Sequence, residues 1–108
     1  MQATVRQHGG DAQQLADAWL AVHAGERCAV IVEGAFVPLE APSGVTVERL
    51  AGGCPCCLGQ VPLRVALVRL VRAVRPDALL LLLSQGDHAE RVRALLADGS
   101  LGVRFVVE

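Results

Sequence analysis

Ala78-Leu-Leu-Leu-Leu-Leu83 is a six-residue run in which no side chain carries a polar atom. Arg75-Pro-Asp77 precedes it and Ser84-Gln-Gly-Asp87 follows, so turn residues bound it on both sides. A run this short cannot cross a membrane, and it reads as a strand buried on both faces. Such a strand needs helices above and below its sheet, which is the parallel α/β arrangement. Cys28-Ala-Val-Ile-Val-Glu33 has the same character and is read as a second buried strand. Residues 45–50 alternate weakly and are read as a third. Residues 103–107 are read as a last strand, and residues 3–7 as a weak one at an edge of the sheet.

Helical patterns separate these runs. Residues 11–24 carry Leu15, Trp19 and Val22 at helical spacing, with Asp11 as the cap and Gly25 after the last turn. In residues 60–75, Leu63, Leu67, Leu70 and Val74 form one stripe, while Arg64, Arg72 and Arg75 lie mostly off it. Pro62 is tolerated in that helix's first turn, and Arg75-Pro-Asp77 ends it. A turn at 84–88 leads to a third helix at 89–97, closed by Asp98-Gly99. The fold predicted is α/β, a small three-layer domain with a mostly parallel sheet, spanning 1–108 as one unit.

The chain has 108 residues, 53% hydrophobic and 19% charged, enough apolar mass for a packed core and too little charge for disorder. Aromatics are only 3%, so the core must come from Leu, Val and Ala. The net charge of -1 gives no basic surplus for a nucleic-acid backbone. The sequence contains no Lys, Asn or Tyr, which removes Schiff-base lysine chemistry and the phosphate-binding lysine of a P-loop. Residues 1–10 are polar and show no export signal, so a cytoplasmic protein with no membrane contact is expected.

Three of the four cysteines, Cys54, Cys56 and Cys57, fall within four positions. Clustered thiols suit metal or thiol chemistry rather than a disulfide framework. Cys54 and Cys57 have the spacing at which two sulfurs of one tight turn grip one ion. Pro55 stiffens that turn, and Gly52 and Gly53 let the backbone bend. The helix starting near Gln60 presents its positive end to the segment and favours thiolates. Soft sulfur selects zinc or copper(I) over magnesium. A tetrahedral site needs another donor, and Glu33, His88, Cys28, water or a second copy of the chain are the candidates.

Blander readings stand beside these. The thiols also suit a redox pair or inert cysteines, Cys28 reads as an ordinary core cysteine, and Glu33 as surface charge. His88, His8 and His23 read as ordinary histidines, and the arginines of the second helix as a solvated face.

Gly25-Glu-Arg-Cys-Ala-Val-Ile-Val32, then Val47-Glu-Arg-Leu-Ala-Gly-Gly-Cys-Pro-Cys-Cys57, then Arg75-Pro-Asp-Ala-Leu-Leu-Leu-Leu-Leu83 resemble the CobW-type metallochaperone GTPases. The likeness spans residues 9–107, the first half of a family nucleotide domain, with Gly53-Cys-Pro-Cys-Cys57 its most specific part. It implies a P-loop-NTPase-like fold, incomplete here, and a role in metal handling. The departures concern nucleotide. The family's P-loop falls at His8-Gly-Gly-Asp-Ala-Gln-Gln14, where Ala12 stands at the lysine position and Gln13 and Gln14 at the hydroxyl positions. The acidic stretch after the third family strand reads Leu82-Leu-Ser-Gln85, and the guanine-reading motif cannot exist without Asn and Lys.

The chain therefore reads as a truncated, degenerate domain of that kind, not an enzyme. The function expected is nucleotide-independent binding of zinc through Cys54, Cys56 and Cys57, with Glu33 and His88 as additional candidates. The alternative is a non-enzymatic interaction module that forms a homodimer or pairs with a CobW-type GTPase. A thiol redox protein using Cys54 and Cys57 comes third.

Overall fold

The computed structural model describes residues 1–34, 37–50, 60–84, 86–99 and 101–108, with the side chains of 60–62 and 86–88 outside the description. In chain order the elements are β1 (Gln2–Gln7), α1 (Ala12–Val22), β2 (Cys28–Glu33), β3 (Thr46–Leu50), α2 (Gln60–Val74), β4 (Ala78–Leu83), α3 (Gly86–Ala97) and β5 (Val106–Val107). The five strands form one sheet in the order β3-β2-β4-β1-β5, and every neighbouring pair is parallel.

All six residues of β4 are buried, as the apolar run requires. Its alternate side chains feed two separate cores. Leu79, Leu81 and Leu83 pack with Ala3, Val5, Ala29 and Ile31 of the sheet, and with Leu63, Leu67 and Leu70 of α2 and Val92, Leu95 and Leu96 of α3. Ala78, Leu80 and Leu82 pack on the other face with Val30, Val32, Ala12, Ala16 and Trp19. The layers are therefore α1, sheet, and α2 with α3. No described helix is long and apolar enough to cross a membrane.

The N-terminal strand is not at an edge. β1 lies between β4 and β5, paired with β4 along residues 2–7. Polar Gln2, Arg6 and Gln7 hide its role in the sequence, because only Ala3, Thr4 and Val5 are buried. β5 pairs with just Gln2 and Ala3, so β1 outruns its neighbour. Beyond that pairing, Val5 N donates to Glu108 O at 3.0 Å, and the Val5 carbonyl accepts from the guanidinium groups of Arg6 and of Arg93 on α3, each at 2.9 Å.

Three further expectations are corrected. The buried stripe of α1 is Ala12, Ala16 and Trp19, while Val22 is 79% exposed. Small residues let this helix sit close on the sheet, so the larger Leu15 is only partly buried. α3 starts at Gly86, so Asp87 and His88 belong to a helical first turn rather than a loop; its polar start concealed it. The last strand shrinks to Val106–Val107.

The turn before β4 shows why α2 stops. Arg75 has φ +50, the left-handed conformation that reverses a helix end. Asp77 then ties the start of β4 to that of β2: its Oδ2 accepts from Arg27 N at 3.0 Å, and its own N donates to Arg27 O at 2.7 Å.

Trp19 buries its indole against Thr4, donating Nε1–H to Oγ1 at 3.1 Å. Thr4→Val keeps the volume and leaves that buried N–H without an acceptor. It should lower stability by about 1–3 kcal/mol in urea unfolding followed by Trp19 fluorescence; an unchanged midpoint would show the bond to be dispensable.

Candidate functional site

Parallel strands all end on one edge, and ligands of open α/β sheets gather there, where successive connections depart in opposite directions. Here that point lies between β1 and β4. From β1 the chain crosses to β2 through α1, and from β4 it crosses the other way to β5 through α3.

Hydrogen bonds lace the strand ends together at this edge. His8, the first residue after β1, donates its backbone N–H to Leu83 O at 2.8 Å. Its ring reaches over the end of β4, with Nε2 2.9 Å from the Glu33 carbonyl oxygen. The Glu33 carboxylate turns to β4, where Oε1 accepts from Ser84 N at 2.8 Å and from the Ser84 hydroxyl at 2.5 Å. Gly34 N donates to Leu50 O at 2.8 Å, closing β2 onto β3. His8 is only 6% exposed, and its Nδ1 is buried with no hydrogen-bond partner among the described residues.

The groups of the loop between β1 and α1 are bonded within the domain itself. Gly10 has φ +94, so glycine is required there, and a Cβ on Gly9 or Gly10 would meet open space. The Gly9 N–H is taken by the Asp11 carboxylate at 2.9 Å. That contact replaces the expected cap, since Asp11 makes no side-chain bond into α1. Ala12 is buried in the α1 core. Gln13 clamps the backbone of Glu40 from both sides, donating Nε2–H to its carbonyl at 2.9 Å and accepting its N–H at 2.7 Å.

Of the metal ligands expected from sequence, Cys54, Cys56 and Cys57 lie outside the described residues. Only their attachment is fixed: the segment leaves the sheet at Leu50, in register with Glu33, and ends where α2 begins at Gln60. Glu33 stands at the edge as expected. His88 stands in the first turn of α3 with its side chain undescribed. Cys28 starts β2 and pairs with Ala78, placing it at the opposite edge of the sheet, away from Glu33. Among the described residues no group of three or more His, Cys, Asp or Glu side chains is arranged to hold a metal.

Sequence reasoning missed His8. Its one signal was its position, directly after a strand and before Gly9-Gly10, which was masked by reading that strand as an edge. A groove of ≈ 800 Å³ lies elsewhere, lined by α2 residues including Arg64, Val65, Val68 and Arg72 and by Leu101 and Phe105.

An α/β domain with a parallel sheet and a polar cluster at its switch point is the class these features define. Over 65 residues the chain is 34% identical to the zinc chaperone YeiR of Escherichia coli (strain K12), a match covering 60% of this chain. It spans only 19% of that curated relative's length. No family model matches the chain, and no solved structure does.

Cys28 offers a clean pH test. Burial pushes its thiol above the ordinary 9.0, and the Glu26 and Asp77 carboxylates push it further. Its Sγ faces the carbonyl oxygens of His23 at 3.6 Å and Glu26 at 3.5 Å, which favour the protonated form. The folded pKa thus exceeds the unfolded one, so the stability this gives is complete below about pH 9 and is lost as pH rises through the folded value. With no Lys or Tyr in the chain, little else titrates there. In a Cys54→Ser/Cys56→Ser/Cys57→Ser background, urea midpoints should fall above pH 9, and less so after Cys28→Ala. Equal falls in both would contradict this account.

Proposed function

We propose that this protein binds zinc through Cys54, Cys56 and Cys57, without nucleotide, as a degenerate relative of the CobW-type metallochaperones acting in metal handling. The observation that carries the reading is the attachment of the thiol segment. Its chain leaves β3 beside Glu33, on the edge where an α/β sheet takes its ligands. The partial identity with a zinc chaperone supports the choice of metal. The donor chemistry fits: three thiolates suit a borderline-soft ion, and α2 begins with its positive end directly after the segment.

The former phosphate loop supports nucleotide independence. Asp11 puts a carboxylate on the amide a phosphate would need, Ala12 is committed to packing, and Gln13 is committed to Glu40. No GTP hydrolysis is proposed for this chain. In this reading zinc is the cargo of a buffer, delivery partner or sensor, held by thiols that stay reduced in the cytoplasm.

A second reading has its own observation. The groove along α2 has apolar walls of Val65, Val68, Val71 and Phe105, and Val65 is 59% exposed. Such a surface suits an interaction module that pairs with itself or with a CobW-type GTPase. Light scattering with and without chelator separates the two, because a dimer indifferent to chelator favours the module.

Elemental analysis of purified, untagged protein tests the first reading. The wild type should carry close to one zinc per chain and the Cys54→Ser/Cys56→Ser/Cys57→Ser variant essentially none. Equal zinc in both would overturn it.

A further inference from the structure

We infer that the groove along α2 is a docking site for an acidic amphipathic helix of a partner protein. The inference is independent of zinc. It rests on the interaction-module reading above and gives that surface one kind of occupant.

Shape narrows the choice first. Val65, Val68 and Val71 recur along α2 at helical spacing and form one wall, and Leu101, Val103 and Phe105 form the other. Between them lies the groove of ≈ 800 Å³. These valines make a second stripe, apart from Leu63, Leu67 and Leu70, which are committed to the core. An apolar trough beside a helix ridge takes another helix, whose anchors come at i, i+3 or i+4, and i+7. A bilayer surface is too flat to reach its floor. The trough is elongated, because Val71 and Arg72 also line a second hollow of ≈ 320 Å³ that runs on to Arg75 and Pro76. Arg72 stands twelve residues beyond Gln60, about 18 Å along α2, so this end is far from the point where residues 51–59 attach.

Charge then selects the occupant. The whole chain carries -1, yet α2 holds Arg64, Arg69 and Arg72 and neither Asp nor Glu. All three arginines line the groove, and among the described residues no acidic side chain does. Arg69 is paired with Glu48 at 2.8 Å, whereas Arg72 is exposed and has no acidic partner among the described residues. The negative end of α2 accounts for one cation in its last turn, but not for a rim without anions. An apolar floor rimmed by guanidinium groups is complementary to apolar anchors flanked by Asp or Glu. A second copy fits worse. Groove against groove would bring the arginines of both copies together, and any other face of the copy makes a head-to-tail contact that need not close. Nucleic acid fits worse as well, since Phe105 is the one aromatic side chain among the described residues lining the groove.

Two helical peptides of about 18 residues, sharing Leu anchors at helical spacing, test this on the 15N-labelled full chain. One carries Glu on both flanks of the anchors and the other carries Lys. Amide shifts with the Glu peptide should centre on Val65, Val71 and Phe105 and leave Trp19, on the other face of the sheet, in place. In low salt the Glu peptide should bind at least about tenfold more tightly than the Lys peptide, and high salt should shrink that advantage. Arg72→Glu, a change at an exposed residue, should weaken the Glu peptide at least about tenfold and not the Lys peptide. Equal affinity for the two peptides, or shifts on another face, would overturn the acidic helix as occupant and leave the interaction-module reading standing. A dimer in sedimentation velocity that Val65→Glu abolishes, with no response to either peptide, would overturn it in favour of a second copy. A monomer that responds to neither peptide would overturn this inference and the module reading together.

Discussion

Burial of β4 on both faces constrains the rest of this molecule. It pairs with β1 along its whole length and with β2 over five residues, and its six side chains alternate between two cores. A strand with nothing polar on either face can stand only between two helical layers, which forces α1 to one side of the sheet and α2 and α3 to the other. The same placement sets the edge at which the strands end. Because β4 ends at Leu83 between the ends of β1 and β2, Ser84 is delivered to the Glu33 carboxylate and His8 to the Leu83 carbonyl.

At that edge the loop between β1 and α1 is bonded into the domain's own packing. Gly10 still takes a conformation reserved for glycine. Around it, however, Asp11, Ala12 and Gln13 are each occupied by this chain's own amide, core and loop.

Much of the fold could be read from the chain because two strands consist of apolar residues and the helices carry regular stripes. β2 and β4 have the bounds their runs suggested, and α2 buries Leu63, Leu67 and Leu70 as its spacing required. β1 resisted because an interior strand of a sheet whose neighbour is two residues long needs burial only at Ala3, Thr4 and Val5. The start of α3 resisted because its first turn is polar. At the site, Glu33 was legible as a strand end with a carboxylate. His8 was not, because its meaning depends on β1 lying beside β4 and on a carbonyl 25 residues away in sequence. Cys54, Cys56 and Cys57 remain a reading of the sequence, anchored by what the structure fixes at Leu50 and Gln60.

The central claim is that thiolates at this edge hold zinc, and zinc K-edge X-ray absorption of the loaded wild-type protein measures it most directly. The account predicts a first shell of three sulfur atoms near about 2.3 Å and one lighter atom near about 2.0 Å. A shell made entirely of nitrogen and oxygen would contradict it.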